Sequence, residues 1–273
     1  MPSMTIDDAD YFYASAGSAS AMHPALVLLH GSGGDSSVWH EQIAALAGGQ
    51  HVIAVDLPGH GQSGGTPAAS AEHYARWLKL LAEALDLPAF VLAGHSMGGC
   101  IAQQFAHMYP EALAGLILAG TGLRFEIPAG YFDLLRHDFD EACMVSCRQA
   151  YACAMAASVI ERGCAMLHRN GPGVLKSDLE LCAAFDGTPW AHGISLPCLI
   201  LCGELDAITP RALSERLAIT IPGSCLACIP NAGHMVMQEQ PELFNRAVAD
   251  FIAEQSCEPA RTTLRKRSPQ CPA

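Results

Sequence analysis

Charge is scarce in this sequence, positive charge most of all: charged residues make up 15% of it, with 15 Lys and Arg against 27 Asp and Glu. The net charge of −12 excludes nucleic acid as an expected partner, because phosphate binding depends on a basic surface. No run of about 18 uncharged apolar residues occurs, so a membrane-spanning helix is excluded as well. The opening MPSMTIDDAD carries no basic segment with an apolar one behind it. It does not read as a secretory signal, and the expected location is the cytoplasm. Aromatic residues are also few, at 7%, yet 51% of the 273 residues are hydrophobic. That combination predicts a folded α/β globule with a sizeable core.

Cysteine is the exception to this scarcity, with 12 in the chain. A disulfide scaffold belongs to short, secreted, core-poor chains, so reduced thiols are expected. Cys225 and Cys228 stand three apart in CLACIP, which reads as a strand, where such positions face opposite sides. Cys143 and Cys147 share a helix face, and with Cys153 and His168 they raise a zinc site as an alternative to apolar packing. Packing is the expected role, and no metal is predicted.

Short apolar runs recur at residues 25–30, 51–56, 90–94, 113–120, 197–203 and 225–230. Near-continuous apolar strands of this kind are buried on both faces. Between them, at 36–48, 70–85, 98–110, 210–219 and 240–255, apolar residues return every three or four positions, the helical spacing. Alternating strands and helices predict a mostly parallel sheet with helices on both faces. The alternation breaks over 123–192, where helical, strand-poor sequence predicts a helical cap insertion. The expected organisation is a core domain over 1–122 and 193–256, interrupted by that insertion. A basic tail follows over 257–273, with Arg261, Arg265, Lys266 and Arg267 and no acid after Pro259, and its composition predicts disorder.

Within VLAGHSMGGCIAQQFA, Val91 to Ala106, an apolar run leads into Gly94-x-Ser96-x-Gly98 and then at once into a helical pattern. Glycines on both sides let the backbone turn sharply and leave Ser96 exposed at the strand end. The helix that follows aims its first amides and its dipole at the same point. A serine that only caps the helix is the simpler alternative. A serine hydroxyl is a weak nucleophile until a base takes its proton and a third group orients the base. The loop ELDAITP after the strand at 197–203 offers Asp206, and NAGHMV after the next strand offers His234. Ser, acid and His in that order on strand-end loops are the expected arrangement for this architecture. Glu204 competes with Asp206 for the acid; the shorter Asp206, further from the strand end, is preferred.

Gly31-x-Gly33 after the first long apolar run, with Asp56 ending the next, imitates a dinucleotide-binding fingerprint. Ser36 stands where the third glycine belongs, and His30 sits at the strand exit. The alternative use is a backbone amide offered to a carbonyl oxygen, which makes the amides of Ser32 and Met97 the candidate oxyanion hole. His95 is expected to pack beside the turn, and His60 to shape a loop.

Together HGSGG, DLPGHGQSGG, GHSMGG, GELDAITP and NAGHMVMQEQPE resemble the α/β-hydrolase family, specifically small capped members similar to bacterial esterases and lactonases. The resemblance covers about residues 24–120 and 194–254. It implies Ser96 as nucleophile, His234 as general base, Asp206 as its orienting acid, and a cap over the mouth. Relatives that open epoxides or displace halide use a carboxylate at the serine position, so acyl transfer from a small to medium apolar ester, lactone or thioester is expected, with no cofactor. Carbon–carbon hydrolysis, perhydrolysis and slow-turnover ligand sensing are the alternatives. The run His234-Met235-Val236-Met237 lacks the tryptophan common in the carbon–carbon hydrolases. Phe125, Tyr131, Phe132 and Leu135, with Phe139, Met144 and Met155, are the expected apolar wall of the cap.

Overall fold

The computed structural model describes residues 2–18, 23–152 and 157–256. Cys153, Met155 and the basic tail lie outside them. The chain begins with a hairpin, β1 (Ser3–Ile6) and β2 (Ala9–Ala16). It is turned by Asp7 and Asp8, both at positive φ (48° and 64°), as a two-residue hairpin turn of the mirror-image kind requires. There follow β3 (Leu26–Leu29), β4 (Val52–Val55), β5 (Phe90–His95), β6 (Leu113–Ala119), β7 (Cys198–Gly203) and β8 (Cys225–Ile229). Each of the six lies within one residue or so of an apolar run in the sequence. They pair in parallel, while β1 and β2 are antiparallel, in the order β1-β2-β4-β3-β5-β6-β7-β8.

Side chains alternate across the sheet and fill two cores. Val27, Leu29, Ile53 and Leu92 face one side, where α2 (Ala71–Ala84) and α3 (Met97–Met108) bring Tyr74, Leu78, Ile101 and Phe105. Leu26, Leu28, Val52 and Val91 face the other, against Trp39, Phe244 and Val248. The last two belong to α9 (Pro241–Ser256), which packs there with α1 (His40–Leu46). Full burial of one such side chain stabilises the fold by about 1.5–3 kcal/mol, so these two layers carry most of the stability.

Between β6 and β7 stand α4 (Tyr131–His137), α5 (Phe139–Ala150) and α6 (Ala157–Ala184). The last is broken at Gly171 (φ 85°), just before Pro172, which cannot donate to a continuing helix. These helices share a small core of their own: Leu135, Ala142, Cys143, Cys147, Cys164, Leu167 and Leu175. Cys143 and Cys147 thus pack as apolar groups, His168 turns outward to Asp140 at 2.8 Å, and no metal-ligand cluster occurs among the described residues. Two further helices, α7 (Arg211–Thr220) and the short α8 (Val236–Glu239), flank β8 in sequence. No helix among the described residues is long and apolar enough to cross a membrane.

The strand order reverses at β3, whose neighbours are β4 and β5. Open α/β sheets bind ligands in the crevice at the carboxyl ends of the strands where this reversal occurs. The loops after β3 and β5 meet there.

Candidate active site

β5 ends at His95, and Ser96 turns the chain into α3 with φ 54° and ψ −117°, a conformation costly for any residue with a side chain. Contacts on every side hold it there. A Cβ on Gly94 would lie 2.1 Å from Gly98 O, and one on Gly98 would lie 2.6 Å from Leu29 O and His30 O. Only glycine lets the elbow close on itself and on β3. Ser96 N donates to Ala119 O at 2.9 Å, and Thr121 Oγ1 donates to Ser96 O at 2.9 Å, so β6 and its exit pin the turn from behind. The Met97 amide opens α3 and has no acceptor within the helix, as in any first turn; its side chain is fully buried.

Asp206 and His234 come from the loops after β7 and β8. His234 Nδ1 lies 2.9 Å from Asp206 Oδ2. A carboxylate facing Nδ1 holds the proton there and leaves the Nε2 lone pair free to act as a base. Asp206 is itself locked: Oδ1 accepts from the amides of Ile208 and Thr209 at 2.9 and 2.8 Å, and Oδ2 accepts from Thr209 Oγ1 at 2.7 Å. Burial alone would raise the Asp206 pKa, but His234 and the Thr209 bonds outweigh it and hold the carboxyl below its ordinary value of 3.8. The His234 backbone is fixed by Ala150 O, which accepts its amide at 2.9 Å, and by His95, whose Nε2 donates to His234 O at 3.0 Å. His95 packs beside the elbow as expected, and burial next to His234 lowers its pKa to about 3. Glu204 is turned away, accepting the Asn231 amide at 3.2 Å.

The loop after β3 lies against Ser96: a Cβ on Gly31 would sit 3.0 Å from Ser96 Cβ. His30 orients this loop. Its Nε2 accepts the Leu57 amide at 3.1 Å, so Nδ1 carries the proton and donates to Gly31 O at 2.9 Å. Burial and the neighbouring His60 lower its pKa to about 3, which keeps it neutral. Gly31 O also accepts the Gly34 amide at 3.1 Å. In a trans peptide the C=O and the next N–H point opposite ways, so fixing Gly31 O also fixes the Ser32 amide.

Ser32, Ser96 and His234 line a single cavity of about 1100 Å3, together with Phe125, Ile127, Tyr131, Leu167 and Leu179. Four expected wall residues are elsewhere. Leu135 is 3% exposed inside the insertion's own core, and Phe132 lines a separate groove with Arg136 and Lys176. Phe139 and Met144 likewise pack on the insertion core. A seven-residue helix presents only one side to the cavity, and Tyr131 takes that side. Thr209 as the third member of the acid–base cluster, and the loop-orienting role of His30, went unread in the sequence. The Asp178 carboxylate on α6 was also missed; it accepts the Gly33 amide at 2.7 Å and the His60 Nε2–H at 2.9 Å.

Residues 26–247 match the sequence model of the alpha/beta hydrolase family. The chain belongs to the α/β-hydrolase family. Within it, a pimeloyl-[acyl-carrier protein] methyl ester esterase of Aeromonas hydrophila is 31% identical over 244 residues, covering 84% of this chain and 95% of the relative. A thermophilic esterase from Thermogutta terrifontis superposes with a TM-score of 0.82 at 29% identity, over 91% of this chain and 94% of that one. An enol-lactonase from Burkholderia xenovorans LB400 shares the fold, with a TM-score of 0.84 at 23% identity over 92% and 99% of the two chains.

Proposed function

We propose that this α/β-hydrolase is a serine esterase, cleaving a carboxylic ester of a small to medium apolar substrate through an acyl-enzyme, with the β6–β7 insertion as its cap. One observation carries the reading: a strained, glycine-flanked serine and a carboxylate-oriented histidine open onto one largely apolar cavity. Relatives named as ester hydrolases agree with it.

In the first step Ser96 Oγ attacks the ester carbonyl carbon while His234 Nε2 takes the serine proton. The carbonyl oxygen becomes an oxyanion between the amides of Ser32 and Met97, which stabilise charge most effectively where water is excluded. His234 returns the proton to the leaving alcohol. A water molecule then gives a proton to His234 and attacks the acyl carbon, and His234 passes that proton to Ser96 Oγ as the carboxylic acid is released. Phe125, Ile127 and Leu179 give the acyl group an apolar seat.

The test is intact mass after treatment with a fluorophosphonate. One adduct is expected on the wild-type chain and none on Ser96→Ala, whose turnover of aryl esters falls by about 10⁶-fold. Labelling that persists in Ser96→Ala refutes the assignment.

A further inference from the structure

The insertion does more than roof the cavity: it reaches down and grips the loop that offers the Ser32 amide. Five hydrogen bonds from three side chains of α6 converge on residues 33–35 and their neighbour Gly61. Asp178 Oδ2 accepts the Gly33 amide at 2.7 Å. Asn170 Nδ2 donates to Gly33 O and Gly34 O, each at 2.8 Å, and its Oδ1 accepts the Gly61 amide at 2.8 Å. Arg169 Nη2 donates to Asp35 Oδ2 at 3.1 Å. There is no slack between the parts, since a Cβ on Gly33, which has φ 64°, would lie 2.5 Å from Leu167 Cδ2 of α6.

Asp178 is the centre of this clasp. It is 1% exposed in the middle of an insertion helix, where a lone carboxylate would be strongly unfavourable. Its second partner is His60, also fully buried. His60 Nδ1 faces Pro58 O at 3.0 Å and Nε2 faces Asp178 at 2.9 Å. Both partners are acceptors, so both ring nitrogens carry protons and the ring is a cation. A buried ion pair between core and insertion therefore ends on the peptide next to the Ser32 residue. Loop residues 31 to 34 are held from the core side by His30 and from the insertion side by Asp178.

We infer that Asp178 is a positioning residue for transition-state stabilisation: through the Gly33 amide it holds the Ser32 amide at the place where the oxyanion forms. This rests on the serine-esterase reading above. Seating the insertion then assembles the oxyanion hole, and losing the Asp178 contact alone takes the hole apart while leaving Ser96, Asp206 and His234, whose amide is held separately by Ala150 O, in place.

The test compares two inhibitors of equal length on the full chain. One is an alkyl trifluoromethyl ketone, which forms an oxyanion on attack by serine. The other is the corresponding alkyl ether, which cannot. In Asp178→Ala, kcat for a p-nitrophenyl ester and affinity for the trifluoromethyl ketone should both fall by about 10²-fold, the scale for losing one oxyanion donor. KM and affinity for the ether should change by less than about threefold, because apolar contacts are untouched. Asp178→Asn keeps an oxygen facing Gly33 and should recover most of the loss. Should Asp178→Ala not fold, Asn170→Ala should show the same selective weakening at about tenfold. Equal loss of both inhibitors, or of neither, overturns the inference while leaving the esterase reading intact, provided the wild-type chain binds the ketone. A wild-type chain that does not bind the ketone overturns both.

Discussion

The sheet and the seam between the insertion and the loops after β3 and β4 are held by different kinds of force. The sheet is sandwiched between two apolar clusters that include the fully buried Leu28, Tyr74, Phe105 and Phe244, and packing of that kind has no preferred direction. The insertion has a core of seven buried residues, three of them cysteines. It meets the loop after β3 through hydrogen bonds and the loop after β4 through the buried His60–Asp178 pair. Such contacts fix distance and angle as well as burial. The lesson is that apolar burial gives this molecule its stability, while polar contacts across the seam set where the insertion sits over the site.

Three experiments press on that difference. The largest effect is within the core-borne site: Asp206→Asn should lower kcat by about 10⁴-fold with the fold intact. Glu204→Gln, which alters only a contact with Asn231, should leave kcat within about twofold, as surface changes usually do. Aryl-ester kinetics on both variants check the order. Next in size, Phe105→Ala should cost about 3–5 kcal/mol of global stability, and Leu135→Ala about 2 kcal/mol, the low end for a core leucine. Hydrogen exchange should place the second loss in α4 to α6 rather than in the sheet. The smallest effect is the pH response of the seam. Burial pulls the His60 pKa down, but the bond to and charge of Asp178 outweigh it, so the folded value stands above the ordinary 6.5. A raised pKa contributes stability that is complete below pH 6.5 and is lost as pH rises through the folded value. Melting temperatures across that range should show the decline in the wild-type chain and not in His60→Gln.

The six parallel strands were legible because burial on both faces writes an unbroken apolar run. The hairpin β1–β2 was not. The edge strand SMTI alternates between exposed and half-buried residues, ADYFYASA buries only Phe12 fully, and the Asp7-Asp8 turn lacks the glycine that usually marks one. Ser96, Asp206 and His234 could be placed because each follows a strand, so topology delivers them to one end of the sheet. Asp178 could not, since its partners stand 118 and 145 residues away in sequence, beyond any periodicity. Phe132 and Leu135 were misplaced for a related reason. Apolar spacing shows that a helix has a buried face, but not whether that face meets the cavity, a separate groove or the insertion's own core.

The His60–Asp178 pair also sets a limit on recombination. Exchanging insertions between related hydrolases is a natural way to transplant selectivity, and a donor segment of matching length would cover the mouth. One that arrives without an acid opposite position 60 would leave the buried imidazole with no counter-charge, so the ring would be held neutral and the seam would lose its ion pair. A graft boundary drawn at β6 and β7 therefore divides a unit that includes DLPGHGQS from the core, and a workable chimera must carry both halves of the pair from one parent.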